Sequence, residues 1–288
     1  MKIPPLTVLA FFVLFRSSLG AGPTEAAPEF APLVLHHTQL RPLPRAANGR
    51  DYLLYVALPP DYATSRNKYP VLYICDGYWD FTLINGFYGN LIFDRVAPHF
   101  IIVGLGYQGA GTNAEYDVLR RYDYTPAPEG NDPQGERSGH AAEFLAVLER
   151  EIIPFVEREY RADPGYRVLS GNSLGGLFSL YTLFARPGLF QAHVAASPAA
   201  PAWLFDLEKK FAASDRPLPA RLFMTGAEKE APDFLANIKR FNEQLQSRHY
   251  AGFSYQWRLI DGEGHTGTKA ESYHRGLRFA FAPLVPAR

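Results

Sequence analysis

The chain has 288 residues, 47% of them hydrophobic and 20% charged, with 29 basic side chains against 29 acidic ones. That balance offers no electrostatic footprint for nucleic acid or an anionic membrane. A lone Cys75 excludes an internal disulfide framework, and the length suits one large α/β domain with a real core.

In chain order, residues 1–20 have the form of a signal peptide: Met1-Lys2, an apolar run from Leu6 to Phe15, then small residues at Ser18 and Gly20 ahead of a cleavage point before Ala21. The apolar run is too short to span a bilayer, so no stable membrane insertion is expected after cleavage, and the product should be periplasmic or secreted. Residues 21–32, rich in Ala and Pro, read as a linker, and 33–288 as the folded domain.

Two antiparallel strands are expected at Leu33 to Leu40 and Tyr52 to Leu58, joined through Ala46-Ala-Asn-Gly49. Tyr69 to Cys75 and Phe100 to Gly106 are apolar runs of the kind buried on both faces of a parallel sheet. Tyr107 to Gly139 shows no period and reads as a long functional loop. Ala141 to Tyr160 is amphipathic and helical, with Pro154 predicting a kink or an early stop. Further strands are expected at Arg167 to Ser170, Phe190 to Ala196, Ala220 to Thr225 and Phe253 to Ile260. Helices are expected after Gly175, near Trp203, and over Phe234 to Gln246 and Thr266 to Phe281. Strands alternating with helices predict a mostly parallel central sheet with helices on both faces and N-terminal antiparallel strands.

The chemistry concentrates at Gly171-Asn172-Ser173-Leu174-Gly175, a GxSxG pattern between a strand and a helix. A serine hydroxyl attacks only if it stands clear of the backbone, and a turn tight enough for that leaves no room for side chains two positions away; hence Gly171 and Gly175. Ser173 needs a base, and in the order Ser, acid, His the candidate is His265, in the loop after the last strand. His249 reads as a surface group and His274 as part of the last helix. The acid should follow the preceding strand: Glu228 is favoured, Glu230 is the alternative, and Asp261 and Glu263 lie less favourably. Two backbone N–H groups should hold the oxyanion, that of Leu174 and one from the loop after Cys75, where Tyr78 is best placed. Trp79, Trp203, Arg120 and Arg121 are expected to line the substrate pocket, Arg121 having the other option of pairing with Asp123. This chemistry calls for no metal and no cofactor; its partner is a small-molecule ester.

Tyr69-Pro-Val-Leu-Tyr-Ile-Cys-Asp-Gly77, Arg121-Tyr-Asp-Tyr-Thr-Pro126, Gly171-Asn-Ser-Leu-Gly-Gly176, Ala196-Ser-Pro198 and Gly262-Glu-Gly-His265 together resemble the esterase D-type esterases. These are α/β-hydrolases that include periplasmic ferric-siderophore esterases and are related to mycolyltransferases and feruloyl esterases. The resemblance implies Ser173 as nucleophile, His265 as base, N–H groups at Tyr78 and Leu174 as oxyanion hole, and a secreted ester hydrolase, with a siderophore-type ester favoured. An acyltransferase of the same fold and a hydrolase-like binding module without chemistry are the alternatives. The chain departs from the family at Asn172, where many relatives carry His, at Ala199-Ala-Pro-Ala202 before Trp203, and in the spacing after Gly226, which leaves a Ser–His dyad open.

Overall fold

A computed structural model describes residues 33–130, 132 and 135–286. The expected signal segment and linker, 1–20 and 21–32, lie outside the described residues. Residues 37–288 form one compact unit; of the other, 1–36, only 33–36 are described, and they form no strand or helix.

The frame is an eight-stranded sheet: Thr38–Pro42 (β1), Tyr52–Ala57 (β2), Tyr69–Ile74 (β3), Ile101–Tyr107 (β4), Ala162–Asn172 (β5), Ala192–Ala196 (β6), Arg221–Ala227 (β7) and Ser254–Ile260 (β8). Their spatial order is β1-β2-β4-β3-β5-β6-β7-β8. β1 pairs antiparallel with β2, and β2 antiparallel with β4; every pairing from β4 to β8 is parallel. The alternation along β3 shows why its run is apolar throughout. Val71, Tyr73 and Cys75 enter one core cluster and Leu72 and Ile74 the other, so both faces must be covered. Gly77–Phe93 (α1) and Lys269–Phe281 (α8) cover the second cluster. The first lies under Asn113–Tyr124 (α2), Ala141–Val147 (α3), Ile153–Glu159 (α4), Leu174–Ala185 (α5), Ala202–Ala212 (α6) and Pro232–Gln246 (α7). This is the α/β-hydrolase fold.

Several elements depart from the expectations. β1 starts at Thr38 rather than Leu33. The helix from Ala141 neither stops nor breaks at Pro154: in a π-helical turn, Leu148–Ile152, Ile153 N–H reaches back five residues to Leu148 O, and the chain passes through Pro154 into α4. The segment 107–139 is not loop throughout, because α2 lies inside it. Its buried residues, Tyr116, Arg120, Asp123 and Tyr124, recur at helical spacing but are mostly polar, so an apolar period cannot reveal them. The signal in the sequence is local instead: Thr112 and Glu115 form a capping box. α1 shows no clean period for the opposite reason. Its buried stripe, Phe81, Ile84, Tyr88 and Leu91, is blurred by Leu83 and Phe87, which pack partly buried against the same cluster, and by the exposed Phe93.

Candidate active site

All the expected reacting groups stand at the carboxyl ends of parallel strands, where loops of an open α/β sheet converge. Ser173 directly follows β5 and caps α5 with φ 57° and ψ −118°, a conformation few non-glycine residues adopt. The glycines permit that turn. A Cβ on Gly171 would lie 2.4 Å from the Gly175 carbonyl carbon, and one on Gly175 would lie 2.9 Å from both Cys75 Cβ and Asp76 Oδ2. The turn is further tied to β6: Ser173 N–H donates to Ala196 O (3.0 Å) and Ala199 N–H donates to Ser173 O (3.1 Å).

His265 lies in the loop after β8. Its Nδ1 meets Glu230 Oε1 at 2.8 Å, and Phe234 from α7 packs edge-on against the ring, centroids 5.1 Å apart. The Glu230 side chain is 4% exposed, the His265 side chain 36%. This corrects the expected acid, because Glu228 does not reach the imidazole. The β7–β8 ladder continues one residue past β7, Glu228 N–H donating to Ile260 O (2.9 Å), and the Glu228 carboxylate turns out to accept from Gly262 N–H (2.8 Å). That N–H bond holds the Glu228 carboxyl below the usual range. The chain then turns, Glu230 N–H donating to Ala227 O, and the second carboxylate comes in over His265. Nothing in the spacing Gly226-Ala-Glu-Lys-Glu reveals where that turn falls.

Asn172 also has a place. Its Nδ2 donates to Ala196 O (3.0 Å) and to His265 O (3.4 Å), joining the elbow to the histidine loop. Leu174 is the first residue of α5 and Tyr78 the second of α1, so neither N–H has a carbonyl upstream in its own helix. The Tyr116 hydroxyl, which donates to Leu105 O (2.8 Å), lies beside the Tyr78 amide.

Arg120 is not a substrate-facing group. Its guanidinium binds Asp76 twice (2.6 and 2.8 Å) and reaches Asn172 O (3.4 Å), beneath the elbow and the start of α1. Arg121 pairs with Glu129 (2.8 Å) and Asp117 (3.3 Å), not with Asp123. Asp123 accepts from the Tyr52 hydroxyl (3.0 Å) and faces Arg50 (3.6 Å). Trp79 packs on Tyr78 and Tyr116 and donates to Asn113 Oδ1 (2.8 Å).

Next to the elbow opens a cavity of about 450 Å³, walled by Leu174, Leu177, Trp203, Phe234 and the stretch Pro128 to Gly130. Trp203 lines it; Trp79, Arg120 and Arg121 do not. A cavity of similar size, about 460 Å³, between β8 and α8 shares no residue with the elbow.

Residues 46–254 match the family model described as "Putative esterase". The chain belongs to that esterase family. Among its relatives, the ferri-bacillibactin esterase BesA of Bacillus subtilis is 26% identical over 279 residues, covering 86% of this chain and 91% of that protein. Two solved structures share the esterase fold. The BES protein of Bacillus cereus superposes with a TM-score of 0.77 at 24% identity, over 88% of this chain and 98% of that one. An IroE-like serine hydrolase from Shewanella oneidensis gives 0.76 at 25% identity, over 87% and 82%.

Proposed function

We propose that this esterase-family chain is an exported serine hydrolase that cleaves a carboxylic ester through an acyl-enzyme, with Ser173 as nucleophile, His265 as base and Glu230 as the acid that orients it. The carrying observation is the 2.8 Å contact from His265 Nδ1 to a nearly buried Glu230, in a histidine loop that Asn172 ties to the serine elbow. A carboxylate on Nδ1 fixes the tautomer and stabilises the imidazolium, leaving Nε2 for the serine proton. Ser173 Oγ then attacks the ester carbonyl as His265 takes its proton, and the N–H groups of Leu174 and Tyr78 receive the oxyanion at two helix N-termini. Collapse expels the alcohol, which leaves with the proton from His265. Water, deprotonated by the same histidine, releases the acid.

A siderophore-type ester is supported by the substrate in the name of the Bacillus subtilis relative, and the Leu174, Leu177, Trp203 and Phe234 side of the cavity beside the elbow suits an acyl group with an aromatic or aliphatic body. Export is supported by the charged, apolar and small-residue order of residues 1–20. Ser173→Ala is expected to lower kcat by about 10⁴ to 10⁶ on nitrophenyl esters and on a ferric trilactone, with the melting temperature preserved. A fluorophosphonate should label the wild type and not the variant. A variant retaining a tenth of the activity would remove Ser173 from the reaction.

A further inference from the structure

The acid has a second donor. Glu230 Oε1 accepts from His265 Nδ1 and also from the Ser197 hydroxyl. Ser197 follows the last residue of β6, is fully buried and sits at φ 38°, in the left-handed region that a serine adopts only at a cost. The carbonyl just before it, Ala196 O, holds Ser173 N–H and Asn172 Nδ2. Two adjacent residues thus hold the backbone of the nucleophile and the carboxylate of the acid.

Ser197 is itself anchored from the other side. Its N–H donates to Thr225 Oγ1 (3.2 Å), which shares a hydrogen bond with Ser272 Oγ (2.8 Å), which in turn meets Thr268 Oγ1 (3.1 Å). Thr268 N–H donates to Gly264 O (3.2 Å), one residue before His265. A chain of buried hydroxyls therefore runs from the acid, through the end of β6, to the loop that bears the base. A carboxylate this poorly solvated needs donors to replace the lost water, and two donors on one oxygen select its rotamer.

We infer that Ser197 is a positioning residue of the ester-hydrolysis site, whose hydroxyl holds the Glu230 carboxylate turned toward His265 Nδ1. The inference rests on the reading of Glu230 as the acid. Ser197→Ala and Ser197→Gly both delete the hydroxyl, and glycine also accepts the left-handed backbone without strain, so at least one folded variant is expected.

The test is the pH dependence of kcat/KM on a neutral nitrophenyl ester. The hydroxyl stabilises the unprotonated Glu230–His265 pair, so its loss raises the proton affinity of that pair. Both variants are expected to be roughly 10- to 100-fold slower at neutral pH, the range for losing a hydrogen bond to a charged group. Their acid limb should move up by about half a pH unit or more. In a Glu230→Gln background the same substitutions should cost little further, because the carboxylate they serve is gone. An acid limb that stays put in both variants overturns the inference, as does a Ser197→Ala loss of full size in the Glu230→Gln enzyme. If Glu230→Gln alone is as fast as wild type, the acid assignment fails first and takes this inference with it, a result distinct from the other two.

Discussion

The floor beneath Ser173 and the rim of its cleft use the same residue types to different ends. Arg120 and Arg121 are consecutive on α2, yet the first side chain is 8% exposed and clasps Asp76, while the second is 37% exposed and pairs with Glu129 and Asp117. Glu230 and Glu228 stand two apart in one loop; the first is buried on His265 and the second is exposed on a backbone N–H. Burial makes the difference. A charge taken out of water must be paired or the fold pays heavily, so floor pairs are obligatory, whereas rim pairs are weakened by water and salt and can vary.

The largest effect should come from the two glutamates. Glu230→Gln is expected to lower kcat by roughly 10² to 10⁴, since an amide can present the wrong group to Nδ1, and Glu228→Gln to change it by less than about threefold. Comparable losses from both would erase the contrast at its most important point and favour a Ser–His dyad or an acid elsewhere. Next comes Arg120→Gln, which strands Asp76 in the floor. Breaking a buried pair costs about 3–5 kcal/mol, and for a domain of this size the melting temperature should fall by roughly 10 °C, read by calorimetry.

How much of this was legible beforehand follows the same division. The elbow could be read because steric necessity writes itself into spacing: only glycine fits where a Cβ would lie 2.4 Å from backbone. The parallel strands could be read because burial on two faces demands uninterrupted apolar runs. Choosing between Glu228 and Glu230 could not, since both are Glu and the difference lies in where one turn closes. The role of Arg120 was hidden too: a buried arginine looks like a surface one until Asp76, 44 positions away, is placed against it. Ser197 stood in plain view within Ala196-Ser-Pro198, but a short polar residue after a strand is the ordinary composition of any turn.

A third prediction uses pH to separate floor from rim. His193 lies in the floor on β6, sharing a hydrogen bond with Ser179 Oγ of α5 (3.1 Å), and burial pushes its imidazole from 6.5 down to about 3. With the folded value below the unfolded one, its contribution to stability is fully present above pH 6.5 and is lost progressively as pH falls toward 3. At pH 5 the loss is about 2 kcal/mol. Asp123 has the opposite sign: burial raises its carboxyl from 3.8 to about 6, so its contribution is present below 3.8 and lost as pH rises through 6. The bare stability curve mixes the two, and the informative quantity is a difference. His193→Phe should shift the difference in melting temperature between pH 7.5 and pH 5 in favour of pH 5, because the variant no longer carries the imidazole's cost there. An unchanged gap would mean that the imidazole reaches water and that the floor is wetter than its burial indicates.

The smallest effect belongs to Arg121, and it sharpens the contrast from the rim side. Its partner Glu129 lines the cavity beside the elbow, so the guanidinium acts on the cleft through the carboxylate it neutralises. Arg121→Gln should cost no more than about 1 kcal/mol of stability, discounted because the pair is partly solvated. It also leaves Glu129 uncompensated at the cavity wall. An anionic ester should then lose a few-fold in kcat/KM at low ionic strength, most of it regained at about 0.5 M salt, where charges beyond a few ångströms are screened. A neutral ester should change by less than about twofold. Glu129→Gln reverses the sign at the wall and should favour the anionic ester instead. If Arg121→Gln slowed both esters alike and lowered the melting temperature as far as Arg120→Gln does, the two arginines would be working as one unit, and exposure would have been the wrong guide to which charges this fold can spare.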